Sequence, residues 1–147
     1  MEKSLTPYRV IYGDTDQMGV AYYANYLRWF EMGRTELLRQ IGLPYISIEE
    51  KGLRFPVIEV SCRYFRPARY DEAIIIETNL TSLGRASLSF HYKIYRKEDE
   101  SRIASGWTKH ACVDGEGHIT RIPLDLEASL KAALFPTTRA DADKPYC

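Results

Sequence analysis

The sequence predicts an α+β domain in which one long helix packs against a single antiparallel β-sheet. Three observations lead to this fold class. The predicted elements follow one another as strand, loop, long helix and then several strands. The strands are joined by short connections, which favour antiparallel pairing. The long helix is apolar around much of its circumference, as expected for a helix that is covered on several sides.

The long helix is predicted over residues 22–41, where apolar side chains recur at intervals of three and four. The positions on this stripe are Tyr26, Phe30, Gly33, Leu37 and Ile41. Other apolar side chains, including Leu27 and Trp29, lie off the stripe. Gly42 and Pro44 end the helix, because glycine favours the C-terminal cap and proline cannot continue the hydrogen bonding.

Strands are predicted on both sides of this helix. They cover residues 8–12, 58–64, 73–83, 86–96 and 102–114. Residues 58–64 alternate apolar and polar side chains, which is the period of a half-buried strand. The Asp-Gly-Glu-Gly segment at 114–117 predicts a hairpin to residues 119–121. Pro123 then opens a short helix with Leu126 and Leu130 on one face.

The composition fits one domain, which we place at residues 1–135, followed by a loose tail at 136–147. Twenty basic and twenty acidic side chains cancel, so we expect no nucleic-acid partner. The N-terminus is too polar for a signal peptide, and no run of about 18 apolar residues predicts membrane insertion. Three cysteines without paired spacing predict a reducing compartment and no metal site. We therefore expect a cytoplasmic protein.

Two carboxylates, Asp14 and Asp16, lie in a glycine-punctuated loop just before the long helix. The first N–H groups of a helix have no intrahelical partner and carry partial positive charge. Such donors stabilise the oxyanion that forms when a carbonyl is attacked, and a nearby carboxylate can attack the carbonyl or activate water. The other interpretation is that Asp14 or Asp16 caps a turn or helix, which is a common role of aspartate at such a place.

The segment GDTDxxGxxxYxxY at residues 13–26 resembles the 4-hydroxybenzoyl-CoA thioesterase branch of the hotdog-fold acyl-CoA thioesterases. The segments RWFEMGRTELLRQIGL, VSCRYFRPARYDE and HACVD extend the similarity over residues 8 to 125. The resemblance implies a hotdog fold, in which an antiparallel sheet wraps around a long central helix. A related branch, associated with the Tol–Pal envelope system, commonly has histidine at the position of Tyr23. This chain follows the 4-hydroxybenzoyl branch there.

The resemblance also implies an activity, the hydrolysis of an acyl-CoA thioester to a carboxylic acid and free coenzyme A. Asp16 is then the catalytic carboxylate, as nucleophile or general base, and the backbone N–H of Tyr23 polarises the thioester carbonyl. Asp14 is structural and holds the loop. Tyr22 and Tyr26 contact the substrate, and such rings suit an aryl and a short aliphatic acyl group equally. No cofactor is expected, because coenzyme A is part of the substrate.

Other side chains of the sequence could also serve in catalysis. Glu31 is a rival carboxylate, because another hotdog branch has its catalytic glutamate within the central helix, where Glu36 also lies. The histidines are expected to be structural, since none lies at motif spacing from a nucleophile. They are His91, His110 and His118.

The phosphates of coenzyme A need basic side chains, because the chain has no glycine-rich phosphate-binding loop. The candidates considered are Arg85, Lys93, Arg96 and Lys97. We single out Arg85, since members of the family often have basic residues at the start of that strand. In the family the active site lies between protomers, so we expect a homo-oligomer, either a dimer or a dimer of dimers.

Two functions from other classes stay open. One is a non-catalytic module that binds acyl-CoA or an acyl carrier, although such a module has no need for a carboxylate facing a carbonyl. The other is a hotdog dehydratase acting on hydroxyacyl thioesters. Dehydratases of this fold have a catalytic histidine near the start of the helix, and this sequence has none there.

Overall fold

The computed structural model describes residues 3–135. This part of the chain contains five strands, β1 (Lys3–Arg9), β2 (Val57–Tyr64), β3 (Ala73–Leu83), β4 (Ser87–Arg96) and β5 (Arg102–Ala111). It also contains three α-helices, α1 (Asn25–Gln40), α2 (Tyr45–Glu50) and α3 (Leu124–Ala133). The loose tail predicted at 136–147 lies outside the described residues.

The five strands form one antiparallel sheet in the order β1-β3-β4-β5-β2. β3, β4 and β5 are consecutive in the chain and adjacent in the sheet, because their short turns suit antiparallel neighbours. β1 and β2 form the two edges. The predicted α+β class, one antiparallel sheet with a long helix against it, is confirmed.

The helix α1 covers the inner face of the sheet and runs in the direction of β3. Tyr8 pairs with the beginning of β3, and its ring centroid lies 5.7 Å from that of Trp29. One helical turn later, Gly33 faces Thr78 in the middle of β3. The start of α1, together with the loop before it, therefore lies at the beginning of β3, and the end of α1 lies toward the end of β3.

Two glycines allow α1 to lie close to the sheet. A Cβ atom at Gly33 would overlap the Thr78 hydroxyl oxygen and lie 2.9 Å from Ile76 Cγ2. A Cβ atom at Gly106 on β5 would lie 2.8 Å from the Phe30 ring. A larger residue at Gly33 would push the helix away from the sheet, and a larger residue at Gly106 would also collide with the Ser61 carbonyl oxygen of β2.

The first elements begin at other residues than predicted. β1 begins at Lys3 and ends at Arg9, instead of covering 8–12, because the chain then turns into a short 3-10 helix. α1 begins at Asn25 rather than at residue 22, because the residues before it form a turn in which the Asn25 N–H donates to the Tyr22 carbonyl. α2 was not predicted, since it is too short to show a helical period and buries only Ile48.

The last part of the domain follows the predictions with small changes. β5 ends at Ala111 rather than at residue 114, and the predicted hairpin is a single bridge between Val113 and Ile119. α3 begins after Pro123, as predicted, and buries one apolar face. It lies against the end of the sheet and closes the apolar core there.

The edge strand β2 differs from its prediction in burial. Its alternating side chains predicted a half-buried strand, but in the single chain every residue of β2 except Cys62 is exposed. Ile58, Val60 and Tyr64 belong to the apolar row, yet they are 53%, 45% and 45% exposed. A strand with open backbone groups and an uncovered apolar row is a surface for pairing with another chain.

Candidate active site

Asp14 is the buried carboxylate of the loop that joins β1 to α1. Its side chain is 1% exposed and accepts hydrogen bonds from the Tyr8 hydroxyl at 2.8 Å and the Ile11 N–H at 3.0 Å. The guanidinium of Arg28 forms an ion pair with its other oxygen. Both carboxylate oxygens are therefore occupied within the protein, which fits the predicted structural role of Asp14.

The backbone carbonyl of Asp14 fixes the residues that lead into α1. Its carbonyl oxygen accepts from the Tyr22 N–H at 2.8 Å and from Asn25 Nδ2 at 2.7 Å. The Ala21 N–H donates to the Ala68 carbonyl at 2.8 Å, which ties the loop to the segment after β2. These bonds hold the last residues before α1 in one conformation.

Asp16 lies two residues further on, and only one of its two carboxylate oxygens accepts a hydrogen bond. Its Oδ1 accepts from the Met18 N–H at 2.8 Å, an Asx turn that shapes the loop. Its backbone N–H donates to the Val20 carbonyl at 2.9 Å. Within residues 3–135, no donor reaches Oδ2 of Asp16. A half-buried carboxylate with one free oxygen can attack an electrophile or take a proton from water.

The backbone of Tyr23 presents an open donor at the start of α1. Its carbonyl oxygen accepts from the Tyr64 hydroxyl at 2.9 Å, which orients the residue. The N–H of Tyr22 is occupied, whereas the N–H groups of Tyr23 and Ala24 donate to no atom of the described chain. Open N–H groups at a helix N-terminus stabilise developing negative charge.

The two tyrosines predicted to contact substrate lie in different surroundings. Tyr22 is exposed and its ring centroid lies 4.6 Å from that of Tyr23. Hydrogen bonding with the Tyr23 side chain, with a further contribution from the charge of Asp16, raises the pKa of Tyr22. Tyr26 is buried, and its hydroxyl accepts from the Ala68 N–H at 3.3 Å. Only Tyr22 is therefore open beside Asp16 in the single chain, and substrate contact by either ring stays a prediction.

Arg85 lies in the turn between β3 and β4, at the far end of the sheet from Asp16. The loop that contains Asp16 follows β1 at the beginning of β3, whereas Arg85 comes just after the end of β3. β3 has eleven residues. At about 3.3 Å per residue its ends are roughly 35 Å apart. One chain does not bring Arg85 and Asp16 together, so a shared site would need Arg85 from a second chain.

The rival carboxylates have other surroundings than Asp16. Glu31 is exposed on the face of α1 that lines a cavity and two grooves. Glu36 forms an ion pair with Arg39 one turn later. Neither lies in the loop with the open Tyr23 amide.

His110 belongs to a closed chain of hydrogen bonds. Its Nδ1 lies 2.9 Å from the Phe55 carbonyl oxygen, which can only accept, so Nδ1 has the proton. Its Nε2 therefore accepts from the Thr108 hydroxyl at 2.8 Å, and Thr108 accepts from the Tyr92 hydroxyl at 2.6 Å. Burial, with the nearby charge of Arg34 acting in the same direction, lowers the pKa of His110 to about 4. The histidine is neutral, fully bonded and structural.

The other two histidines also lie away from the loop. His91 is buried on the outer face of the sheet, where burial and the charge of Lys93 lower its pKa. His118 is exposed in the turn after β5, near Asp114 and Glu116.

Sequence reasoning missed the residues that support the loop from a distance. Arg28 and Tyr8 complete the surroundings of Asp14, and Tyr64 of β2 orients Tyr23. One signal was available: a cation in the first turn of a helix opposes the helix dipole, so Arg28 needed an acidic partner nearby. The sequence holds no such signal for Tyr8 or Tyr64.

One known family of proteins matches this chain over most of its length. The profile of the thioesterase-like superfamily matches residues 10–137 of this chain. The chain belongs to the thioesterase-like superfamily. Membership confirms the predicted hotdog class and the predicted enzyme type, a thioester hydrolase. Assignment of this thioesterase to the 4-hydroxybenzoyl branch within the superfamily stays a prediction.

Individual relatives agree with this membership. The acyl-CoA thioesterase YbgC of Haemophilus influenzae is 33% identical over 125 residues, which cover 84% of this thioesterase and 90% of the relative. The acyl-CoA thioester hydrolase YbgC of Escherichia coli O157:H7 is 37% identical over 93 residues, 63% of this chain and 69% of the relative. The crystal structure of hypothetical protein TT1821 from Thermus thermophilus superposes with a TM-score of 0.85 at 34% identity, covering 91% of this chain and 99% of that one.

Among the described helices of this thioesterase, none is long and apolar enough to cross a membrane.

Proposed function

We propose that this thioesterase hydrolyses acyl-CoA, with Asp16 as its catalytic carboxylate and the Tyr23 amide as the donor to the thioester oxygen. One observation carries the proposal: an open carboxylate oxygen and an open helix-start N–H lie in one short, rigid segment of the chain. The names of the two YbgC relatives support acyl-CoA as the substrate class.

The Tyr23 N–H acts on the oxygen of the thioester. As the carbonyl carbon becomes tetrahedral, its oxygen gains negative charge, which this donor stabilises. The Asn25 N–H donates to the Tyr22 carbonyl at 2.9 Å, and this carbonyl lies in the same peptide group as the Tyr23 N–H, so the donor is oriented before substrate binds. Because the charge on this oxygen is larger in the transition state than in the substrate, the donor stabilises the transition state more.

Asp16 can complete the reaction in two ways. As a nucleophile it attacks the carbonyl carbon, coenzyme A leaves as the thiolate, and water hydrolyses the mixed anhydride to regenerate the carboxylate. As a general base it takes a proton from water, the hydroxide attacks, and the proton is passed to the departing thiolate. Both routes yield a carboxylic acid and free coenzyme A. Both need the ionised, open oxygen of Asp16.

The active enzyme is proposed to be a homo-oligomer, a dimer or a homotetramer built from two dimers. The open strand β2 presents an exposed apolar row at the edge of the sheet. Pairing two β2 strands antiparallel would reverse the second sheet, so that Arg85 of one chain approaches Asp16 of the other. The coenzyme A phosphates would then contact Arg85 across the interface. A stable 17 kDa species in light scattering would contradict this assembly.

We place the enzyme in the cytoplasm, where acyl-CoA and a reducing environment are both found. The cysteines of the described chain, Cys62 and Cys112, are free thiols, as such a compartment favours.

A panel of short-chain, long-chain and aromatic acyl-CoAs, with release of free thiol as the readout, tests the activity. We expect turnover with at least one class. Binding without thiol release would contradict hydrolysis and support the acyl-CoA binding module. Release of water from a hydroxyacyl-CoA, with the thioester intact, would support the dehydratase.

A further inference from the structure

A cavity of about 230 Å³, lined mostly by apolar side chains but also by Glu31 and Arg34, lies between α1, α2 and the inner face of the sheet, and the proposed mechanism does not use it. Its far wall is aliphatic and is formed by Ile48 of α2, Leu88 of β4 and Leu130 of α3, all buried. His110 also lines it, but both ring nitrogens are bonded within the protein. The far wall therefore offers contact to a hydrocarbon and no free donor or acceptor.

A groove connects this cavity with the start of α1. Its outer end is lined by Leu27 and Arg28. Its inner end shares Glu31, Arg34 and Val57 with the cavity. Leu27 follows Tyr23 by one helical turn, so the groove begins beside the open amide. A chain whose carbonyl is held at that amide would run along α1 into the cavity.

The rise of α1 sets the length of a chain that reaches the cavity. At 1.5 Å per residue, the axis advances about 9 Å from Asn25 to Glu31 and about 20 Å from Asn25 to Leu38. An extended alkyl chain advances about 1.3 Å per carbon, because successive C–C bonds of about 1.5 Å alternate in direction. Roughly seven carbons therefore reach the near wall, and roughly fifteen reach the far wall. An aryl ring bonded to the thioester stays in the groove.

We infer that the substrate has a linear acyl chain of about 10 to 16 carbons, whose terminal half lies in the cavity between α1, α2 and α3. The inference rests on the proposed function for the position of the thioester carbonyl. It narrows the range of acyl groups expected from the sequence, because the sequence favoured neither an aryl nor a short aliphatic group. Each methylene group that leaves water strengthens binding roughly three- to fourfold.

Binding of S-alkyl-coenzyme A thioethers tests the cavity without any hydrolysis, because a thioether has no carbonyl to attack. We would measure dissociation constants of the butyl, decyl and tetradecyl compounds by calorimetry. The tetradecyl compound should bind at least about a hundredfold more tightly than the butyl compound. Equal affinity for all three would overturn the inference.

A matched pair of substitutions locates the chain. Leu130→Phe places a ring in the cavity, so tetradecyl binding should weaken at least about tenfold while butyl binding stays unchanged. Leu126→Phe adds the same ring one turn earlier in α3, at a buried residue outside the cavity wall, and should not change the preference for chain length. Loss of butyl and tetradecyl affinity alike in Leu130→Phe, with an unchanged thermal midpoint, would contradict the assignment.

Leu130→Ala keeps the inference testable if the Phe variant does not fold. The larger cavity should move the tightest binding toward longer chains, and an unchanged order of the thioethers would count against it. Acyl-CoA hydrolysis over the same chain lengths separates the two proposals. Chain-length-dependent thioether binding without thiol release from any acyl-CoA would refute the proposed hydrolysis and keep the cavity assignment.

Discussion

Asp14 and Asp16 are two residues apart in one loop, yet their surroundings are opposite. Asp14 is buried, and a hydroxyl, a backbone N–H and a guanidinium occupy its oxygens. Asp16 is half-buried, and within the described chain only the Met18 N–H binds its side chain. The adjacent amides of Tyr22 and Tyr23 differ in the same way, since only the first has an acceptor.

The difference shows how a fold separates supporting groups from reacting groups. A buried polar group whose bonds are complete stabilises one conformation and has nothing left to offer a ligand. A polar group with an open lone pair or N–H contributes less to stability and is available for chemistry. His110 belongs with Asp14 in this comparison, because both of its ring nitrogens are bonded.

The largest expected effect is on turnover, in Asp16→Asn. The amide keeps the size of the side chain and removes the charge that either mechanism needs, so kcat should fall at least roughly a hundredfold. The thermal midpoint should change little, since the Met18 N–H can still donate to the amide oxygen. Steady-state kinetics with a good acyl-CoA checks this. An Asp16→Asn variant with near-normal kcat would show that Asp16 is not catalytic. If Glu31→Gln were then inactive, the catalytic carboxylate would lie on α1.

Asp14→Asn should give the reverse result. It leaves Arg28 beside a neutral group, so the free energy of unfolding should fall by about 2 to 3 kcal/mol. The loss of kcat should be smaller than in Asp16→Asn. Urea unfolding measures the first quantity, with Asp71→Asn as control, because the exposed Arg9–Asp71 pair contributes less than about 1 kcal/mol. Equal losses of activity in both loop variants would indicate general damage to the loop.

Acid should weaken the fold through His110. Its pKa is about 4 in the folded protein and about 6.5 when unfolded. Well above pH 6.5 the histidine is neutral in both states, and its contribution to stability is complete. As the pH falls toward 4, only the unfolded state gains the proton. Between pH 7 and pH 5 this costs about 2 kcal/mol.

Urea unfolding at a series of pH values measures how steeply the free energy of unfolding changes with pH. His91, whose pKa is lowered as well, acts in the same direction. His110→Gln should be less stable at pH 7 and show a smaller slope than the parent. An unchanged slope in this variant would mean that His110 does not cause the acid sensitivity.

The smallest expected effect concerns Arg85, whose contact would be with a distant phosphate. Arg85→Ala should raise KM several-fold, a loss of about 1 kcal/mol in binding, with little change in kcat. Mixed oligomers then test whether the contact crosses chains. Combining Arg85→Ala with Asp16→Asn subunits would create some sites with both residues intact and restore the low KM. If the mixed oligomers keep the high KM, Arg85 does not contact substrate across the interface.

The sequence was most informative where a local pattern decides the structure. β3 has the bounds predicted from the sequence, because the turn at Gly84 that ends the strand is a local signal. The start of α1 was placed three residues too early, since the aromatic residues before it resemble helix. Residues 22–24 form a turn instead, in which the Asn25 N–H donates to the Tyr22 carbonyl, and the Tyr22 N–H is held by Asp14, eight residues earlier. The burial of β2 was wrong because the pattern describes a covered strand, and one chain does not cover it.

The site was predictable in part for the same reason. The loop motif identified Asp14 and Asp16, and the structure distinguishes them through the Ile11 N–H of the same loop and through Tyr8 and Arg28, which come from other elements. The cavity was not predictable, because its wall joins α1, α2, α3 and the sheet. Periodicity shows that such side chains are apolar. It does not show that they leave a space between them.

The close approach at Gly33 has a consequence for how such an enzyme can evolve. No side chain larger than hydrogen fits there without moving α1, and α1 positions the Tyr23 amide. The aliphatic wall on α2 and α3 has no such restriction, because leucine and isoleucine exchange with other apolar residues at modest cost. Mutations in those two short helices can therefore redirect the enzyme to new acyl groups while the chemistry is inherited unchanged.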